Sequence, residues 1–327
     1  MSSPETFLGI ARGFMESRVL LTAVELDLFS LLADGPLTAD QVCARARLDL
    51  RAATMVLDAL AAMGLLSKSA AGYQATPDSG ALLAASAPGS VLPMAQHVAH
   101  LWERWSRLTE IVQHGVTSAT GPAPRSDAAL RAFIGAMHVI GAPQADSVIA
   151  SIELDRVASV IDVGGASGTY TMAFLRRRAD LRATLFDLPP VVELARERLT
   201  EAGLLDRVTL APGDFYADEL PSGHDLAWVS AIIHQNSLEQ NVELYGRVLR
   251  ALRPGGRIVV RDHIMSPDRT APRPGAMFAI NMLVATPGGG TYTEEEVADG
   301  LRAAGFHGVR LLQPDQRMNG LIEATRP

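Results

Sequence analysis

The chain has 327 residues, of which 48% are hydrophobic and 20% are charged, a balance typical of a globular protein that buries a sizeable core. Its formal net charge of −7 argues against nucleic-acid and anionic-membrane partners, because both require a positive surface. The single cysteine, Cys43, excludes an internal disulfide and a cysteine-built zinc site. We see no signal-peptide pattern and no run of eighteen apolar residues, so we expect a cytoplasmic protein.

The first half of the chain, residues 7–150, places its apolar side chains at the three- and four-residue spacing of helices. The third helical segment, "LRAATMVLDALAAMG", ends at Gly64, and "LLSKSAAGYQATP" then predicts two short strands around a turn. This order predicts a winged helix-turn-helix over residues 1–95. Arg51 is the only basic residue of the third helix, which lacks the charge of a DNA-binding helix. We expect the domain to dimerise or to pack against a second domain.

The segment after the predicted wing holds a connector rich in Pro, Ser and Gly and then helical patterns up to about residue 152. His97 and His100 are spaced to lie on one face of a helix, as metal ligands can be. Because no third ligand is evident in the sequence, we expect no metal. The arginines at 176–178 are expected to form a solvated helix end.

From Arg156 the pattern changes to strands that alternate with helices, which is typical of a mainly parallel α/β sheet. We predict an α/β domain over residues 153–327. Its seven predicted strands cover residues 157–163, 182–188, 207–213, 225–233, 257–262, 308–313 and 320–325.

Polar residues and glycines follow the predicted parallel strands at the edge where ligands bind in such sheets. They are Gly164 and Gly168 after the first strand, Asp187 ending the second, Asp214 after the third, His234 after the fourth and Asp262 ending the fifth. The dinucleotide fingerprint G-x-G-x-x-G is broken, because Ala166 stands where its second glycine is required. Asp187 lies 25 residues after Asp162 (187 − 162), where a carboxylate binds ribose hydroxyls. A ribose site without a pyrophosphate site indicates a nucleoside cofactor.

Several motifs in order resemble the S-adenosylmethionine (SAM)-dependent O-methyltransferases of the plant caffeate/flavonoid type and their bacterial natural-product relatives. These are "VIDVGGASG", "FDLP", "GDF", the histidine after the fourth strand, "LRPGGRIVV" and "PGGGTYTEEEVADGLRAAGF". The resemblance covers nearly the whole chain. It implies a Rossmann-like, seven-stranded methyltransferase domain preceded by an α-helical winged-helix dimerisation domain, with residues 96–152 as connecting helices that line an acceptor pocket. It also implies a homodimer, a small aromatic acceptor in secondary metabolism, and SAM converted to S-adenosylhomocysteine (SAH).

The resemblance implies roles for individual residues of the cofactor site. Asp162, Gly164 and Gly168 would shape the turn that meets the methionine part of SAM. Asp187, with Leu188 beside it, would hold the ribose. Asp214 would bind the adenine amino group, Phe215 would pack on the adenine ring, and Ser230 replaces a lysine that plant members usually place near the adenine.

The resemblance also implies that His234 is a general base whose ring is oriented by Asp262. The candidates for the acceptor pocket are Trp102, Phe133, Met137, Gln235, Phe278, Asn281 and Met282. Gln235 and Asn236 would either bind the acceptor or cap the helix that follows them.

Two positions depart from the family pattern. Gln235 and Asn236 replace an Asp-Trp pair after the histidine, and Thr291 or Tyr292 stands where a second glutamate usually follows "PGG". These departures leave alternatives open. One is transfer of the methyl group to carbon or nitrogen of an indole-like or amine acceptor, mainly by proximity. More remote alternatives are a SAM-binding protein with non-methylating chemistry and a ligand-sensing regulator.

Overall fold

A computed structural model describes residues 3–116 and 127–327 of the chain. The chain divides into two compact units, Met1–Trp102 and Glu103–Pro327, each of which has its own core. Over the described ranges, no helix combines the length and the apolar character needed to cross a membrane.

The N-terminal unit is a small helical domain with a two-stranded wing. Its elements in chain order are α1 (Pro4–Glu25), α2 (Leu28–Leu31), α3 (Ala39–Ala46), α4 (Leu50–Ala62), β1 (Leu66–Ser69), β2 (Gly72–Ala75), α5 (Pro77–Leu83) and the first part of α6 (Leu92–Ser106). Strands β1 and β2 pair antiparallel, with Leu66 opposite Ala75. The order of helices followed by a wing is the one that the sequence predicts.

Helix α4, the third helix of the predicted motif, turns its apolar face into this core. The Asp49 side chain caps its first turn by accepting a hydrogen bond from the Ala52 N–H group at 2.8 Å. Leu57 and Leu60 are fully buried, whereas Arg51 is exposed. The apolar side chains of this helix therefore serve packing within the unit.

The C-terminal unit contains a seven-stranded sheet in the order β10-β11-β7-β6-β3-β4-β5. Its strands are β3 (Ser159–Val163), β4 (Arg182–Asp187), β5 (Val208–Pro212), β6 (His224–Ser230), β7 (Leu252–Asp262), β10 (His307–Gln313) and β11 (Gly320–Thr325), with the short pair β8 (Ile264–Met265) and β9 (Tyr292–Thr293) beside the sheet. Its helices are α7 (Leu108–His114), α8 (Asp127–Ala150), α9 (Thr169–Arg177), α10 (Pro189–Glu201), α11 (Leu238–Ala251), α12 (Arg273–Ala285) and α13 (Glu294–Ala303). All seven predicted strands are present, and parallel pairing joins five of them, so the predicted Rossmann-like sheet is confirmed.

Both faces of the central strands are buried, which explains their nearly continuous apolar sequences. Along β3, Val160 packs into one hydrophobic cluster and Ile161 into the other. The fully buried Trp228 of β6 packs on the same side as Val160. Because both faces are covered, the exposed carboxyl ends of the strands are the part of the sheet that is open to a ligand.

The fourth strand is shorter than the sequence predicts. We expected it to run to Ile233, but β6 ends at Ser230, the last residue that pairs with β7. Ala231 then adopts a left-handed backbone with φ 57°, which breaks the extended chain, and Ile233–Gln235 form a 3₁₀ turn. His234 consequently lies in this turn, beyond the end of the strand.

We predict that Leu57→Ala lowers the free energy of unfolding by about 2–5 kcal/mol, because it leaves a cavity in a fully buried position. The matched control on the same helix is Arg51→Ala, which removes an exposed side chain and should change stability by less than about 0.5 kcal/mol. Urea denaturation of both variants measures this difference. Equal effects would show that α4 does not pack as described.

Candidate active site

The glycine turn after β3 brings backbone amides to the open edge of the sheet. Gly164 has φ 68°, and its N–H group donates to the Phe186 carbonyl oxygen at 2.8 Å. Gly168, with φ 74°, is the N-cap of α9 and offers no side chain to the first turn of that helix. A Cβ atom on Gly165 would lie 2.7 Å from the Leu185 side chain, so the turn packs directly on β4. Such a turn admits a close ligand and presents N–H groups to it.

Asp187 ties this turn to the end of β4. Its Oδ2 accepts a hydrogen bond from the Ala166 N–H group at 2.8 Å, and its Oδ1 accepts one from Leu188 at 2.7 Å. Burial raises the pKa of Asp187, and the two amide hydrogen bonds only partly oppose this rise. Each carboxylate oxygen keeps a second lone pair, so the side chain can still accept hydroxyl groups of a ligand. Leu188 is exposed and begins α10 as its N-cap.

Asp162 lies beneath the turn. It is 2% exposed, and the Thr171 hydroxyl donates to its Oδ2 at 2.6 Å. Burial raises the pKa of Asp162 to about 7. The hydrogen bond from Thr171 of α9 to Asp162 of β3 holds the helix against the strand and so fixes the shape of the turn.

The loop after β5 lies next to the glycine turn. Asp214 accepts a hydrogen bond from the Tyr216 N–H group at 2.9 Å. The Phe215 ring lies 3.6 Å from the point where a Cβ atom on Gly164 would stand, and the Ile232 side chain lies 2.5 Å from that point. A side chain at position 164 would displace Ile232 and would have to adopt φ 68°, so the turn favours glycine there.

His234 and Asp262 form a hydrogen-bonded pair at the ends of β6 and β7. Nδ1 of His234 is 2.9 Å from each carboxylate oxygen of Asp262, which is 1% exposed. Burial acts to raise the pKa of Asp262, but His234 and the hydrogen bond from the His263 N–H group outweigh it, and the pKa is lowered. An ionised Asp262 can only accept, so Nδ1 donates and Nε2 of a neutral imidazole is left as an acceptor.

The "PGGG" segment packs closely on the backbone of His234. The Gly290 N–H group donates to the His234 carbonyl oxygen at 2.9 Å, and a Cβ atom on Gly289 would lie 2.4 Å from that oxygen. The Phe278 ring meets the imidazole edge-on, with centroids 4.8 Å apart and an interplanar angle of 87°. The glycine segment thus holds the backbone of His234, and Phe278 restricts its ring.

Thr291 and Tyr292, one of which was expected to replace a second acid, form hydrogen bonds with groups other than the imidazole. Tyr292 donates its hydroxyl hydrogen bond to the Asn236 carbonyl oxygen, and the Thr291 carbonyl oxygen accepts one from Arg269 at 2.9 Å. In the described part of the chain, neither side chain hydrogen-bonds to the imidazole. The aromatic ring of Phe278 contacts it instead.

The helix after His234 is capped by Ser237, and neither Gln235 nor Asn236 caps it as the sequence analysis allowed. Ser237 and Gln240 form a reciprocal capping box on α11. Asn236 is fully buried, donates to the Asn241 side chain at 3.0 Å and accepts from the Tyr216 hydroxyl. The Asn236 side chain is therefore not accessible to a methyl acceptor. Gln235 is half-buried, and in the described ranges its side chain makes no such hydrogen bond.

The candidate acceptor residues are spread over three helices and the 3₁₀ turn that holds Gln235. Phe278, Asn281 and Met282 lie on α12, next to the His234 turn, and the half-buried Phe133 and Met137 lie on α8. Trp102 belongs to the N-terminal unit, where the Arg18 guanidinium lies 5.4 Å above its ring. Asn281 accepts a hydrogen bond from the indole of Trp105 at 3.1 Å. We did not predict Trp105, although its position three residues after Trp102 was the available signal.

A second histidine–carboxylate pair adjoins the first. Nδ1 of His263 is 2.7 Å from Oδ2 of Asp315, and both side chains are nearly inaccessible to solvent. The Phe278 ring lies between the two imidazoles, with its centroid 5.2 Å from that of His263. Sequence reasoning missed this pair, because Asp315 lies in the hairpin before β11 and no motif surrounds it. In residues 3–116 and 127–327, no three His, Cys, Asp or Glu side chains are arranged to hold a metal ion.

Comparison with known proteins identifies the family of this chain. A profile of the O-methyltransferase domain matches residues 105–307, and one of the O-methyltransferase dimerisation domain matches residues 8–85. The chain is similar to the tetracenomycin polyketide synthesis 8-O-methyl transferase TcmO of Streptomyces glaucescens, with 35% identity over 94% of this chain and 92% of that protein. It is 32% identical to the 3-hydroxy-5-methyl-1-naphthoate 3-O-methyltransferase of Streptomyces sahachiroi, over 99% of this chain and 95% of the other.

A solved structure has the same fold and supports the same family. The structure of the mitomycin 7-O-methyltransferase MmcR superposes with a TM-score of 0.85 and 28% identity, over 99% of this chain and 97% of that one. The fold, the dimerisation domain and the catalytic domain are thus those of one family. The chain belongs to the O-methyltransferase family and is a SAM-dependent methyltransferase with an N-terminal dimerisation domain.

Proposed function

We propose that this methyltransferase acts on a hydroxyl group of a small aromatic acceptor in secondary metabolism, with His234 as general base and Asp262 as the carboxylate that orients it. The observation that supports this most directly is the double contact of Nδ1 with the buried carboxylate. That contact leaves Nε2 as the acceptor of a proton. The relatives named above methylate polyketide and naphthoate hydroxyls, and they favour an aromatic acceptor.

The residues at the open edge fit SAM. The glycine turn at Gly164 and Gly168 would receive its methionine part, because the turn allows close approach to the backbone and precedes the first N–H groups of α9. Asp187, with Leu188 beside it, would hold the ribose through its remaining lone pairs. Asp214 and Phe215 would bind the adenine after the end of β5, whereas Ser230 lies at the end of β6 and accepts a hydrogen bond from Arg261. When bound, the cofactor supplies an electrophilic methyl group on a sulfonium sulfur.

His234 would remove the proton that makes a phenol a poor nucleophile. A phenol ionises with a pKa of about 10 and a free imidazole with one of about 6.5, so a positioned imidazole can take the proton as the oxygen–methyl bond forms and the carbon–sulfur bond breaks. Asp262 would keep the proton on Nδ1 and stabilise the imidazolium that results. Alignment of oxygen, methyl carbon and sulfur supplies much of the remaining acceleration.

The acceptor would lie against α12 and α8. Phe278 contacts the imidazole, so an aromatic acceptor packed on this ring would place its hydroxyl within reach of Nε2. Asn281, fixed by Trp105, would orient a polar group of the acceptor, and Gln235 would contact it from the His234 turn. The remaining members of the pocket would be Met282, Phe133 and Met137.

Exposed apolar side chains on α1 support a homodimer through the N-terminal domain. Phe7, Ile10 and Phe14 follow each other at three- and four-residue spacing, and each is more than half exposed, at 58%, 66% and 53%. A stripe of this kind marks an interaction surface. A second copy of the chain is the partner that we propose, because the matched dimerisation domain includes this helix.

Substituting His234 by Gln should lower kcat about 10²- to 10⁴-fold, because general-base catalysis is lost. The matched control is His307→Gln, which changes an exposed histidine on β10. Steady-state kinetics measures kcat of both variants. A variant with native kcat would refute the role of His234.

Asp262→Asn should lower kcat by a similar factor while SAH binding stays within about twofold, because the amide can donate to Nδ1 and favours the wrong tautomer. Calorimetric titration with SAH separates the two effects. If SAH binding falls in parallel with kcat, Asp262 supports the whole site rather than the histidine.

The double variant Ile10→Glu, Phe14→Glu should be monomeric, because paired carboxylates in an apolar interface are costly to desolvate. Arg12→Glu, an exposed change on the same helix, is the control and should remain dimeric. Light scattering coupled to gel filtration measures the mass. A native protein that is monomeric at micromolar concentration would contradict the proposal.

A further inference from the structure

Arg261 is a buried guanidinium group that the mechanism above does not use. It is the residue before Asp262 on β7 and is 3% exposed. Arginine is rarely buried to this extent without an acid partner, because the cost of desolvating its charge is several kcal/mol. A structural explanation would therefore require a carboxylate beside it.

The nearby carboxylates are committed to other groups. Asp262 and Asp315 are the acids whose charges act on Arg261, but each hydrogen-bonds to a histidine instead. Burial lowers the pKa of Arg261. The charges of Tyr170, Asp262 and Asp315 act to raise this pKa, although neither acid forms an ion pair with the guanidinium. The guanidinium keeps its positive charge at neutral pH, since arginine does not deprotonate in proteins.

The contacts that Arg261 does make leave most of its donors unused. Nη1 donates to Oγ of Ser230 at 3.1 Å, and the guanidinium lies 4.9 Å above the Tyr170 ring. Nε is buried without a partner in the described part of the chain, as are the Tyr170 hydroxyl and the Trp228 indole nitrogen. The Tyr170 and Trp228 rings lie 5.2 Å apart. We call these four residues, Ser230, Tyr170, Trp228 and Arg261, the Arg261 cluster.

The Arg261 cluster lies beside the glycine turn. Val163 pairs with Val229 across β3 and β6, so Gly164 and Ser230 are the next residues at the same level of the sheet. Tyr170 is the second residue of α9, two residues after the N-cap Gly168. The unused donors therefore adjoin the part of the site that receives the methionine end of the cofactor in the proposed function.

We propose that Arg261 binds a carboxylate group of a ligand at the end of β7, and that the α-carboxylate of the cofactor's methionine part is its source. This inference rests on the proposed cofactor site. A guanidinium forms short, charge-assisted and often bidentate hydrogen bonds with carboxylates, and burial beside Tyr170 strengthens them. An acidic acceptor is the other possible source of the same chemical group, and the experiment below distinguishes the two.

The test is calorimetric binding of SAH and of its decarboxylated analogue, S-adenosyl-3-thiopropylamine, to the full chain. Arg261→Gln should weaken SAH binding at least tenfold and change binding of the analogue by less than twofold. Arg261→Lys, which keeps the charge, should recover part of the loss and provides the measurement if the Gln variant does not fold. The matched control is Arg273→Gln, an exposed arginine on α12. Since no acceptor is present, the result does not depend on which atom is methylated.

A second arm compares KM for phenolic acceptors with and without a carboxylate group. If Arg261→Gln raises KM only for the carboxylated phenol and leaves SAH binding unchanged, the acceptor is the source of the carboxylate and our assignment to the cofactor is wrong. Equal weakening of SAH and its analogue, or no change in either arm, would overturn the carboxylate site altogether and leave Arg261 a structural residue.

Discussion

The hydrogen bond between His234 and Asp262 is the interaction on which the site depends. It joins the ends of two neighbouring strands, β6 and β7, whose register is set by the pairing of Ser230 with Arg261. A carboxylate that is 1% exposed is tolerated there because the imidazole and the His263 N–H group both bind it. The same contact assigns the proton to Nδ1, so the fold determines which ring nitrogen is available for chemistry.

The surroundings of the imidazole explain how the site works without a second acid. The glycine segment at Gly289 and Gly290 holds the backbone of His234, while Phe278 restricts its ring. Phe278 is itself packed against His263, which Asp315 holds from the last hairpin. Phe278 thus restricts the imidazole by an aromatic contact, and in the proposed function it would present an apolar surface to the acceptor.

The sequence predicts the sheet and the order of its site residues, because buried parallel strands have continuous apolar sequences and ligand residues follow their carboxyl ends. It does not predict where β6 ends, since "AII" is as apolar as the strand and the left-handed Ala231 has no sequence signal. Ser237 rather than Asn236 caps α11, because both residue types are good caps and the buried network with Tyr216 decides between them.

Contacts between distant parts of the chain were beyond sequence reasoning. Trp105 and Asn281 are 176 residues apart, and His263 and Asp315 are 52 residues apart, so neither pair lies within a motif. Arg261 lies within a predicted strand, and only the structure shows that it is buried, with its guanidinium 4.9 Å above the Tyr170 ring. A sequence motif identifies the residues that the motif requires, whereas the partners of these residues are determined by tertiary packing.

The most direct test of the account is to determine which atom of an acceptor receives the methyl group. The protein would be incubated with methyl-labelled SAM and a mixed panel of phenols, indoles and amines, and the labelled products identified by mass spectrometry and NMR. We expect the label on phenolic oxygen, because the site provides a base for a hydroxyl proton. Label found on carbon or nitrogen, with phenols unchanged, would contradict it and would leave His234 as part of the pocket wall.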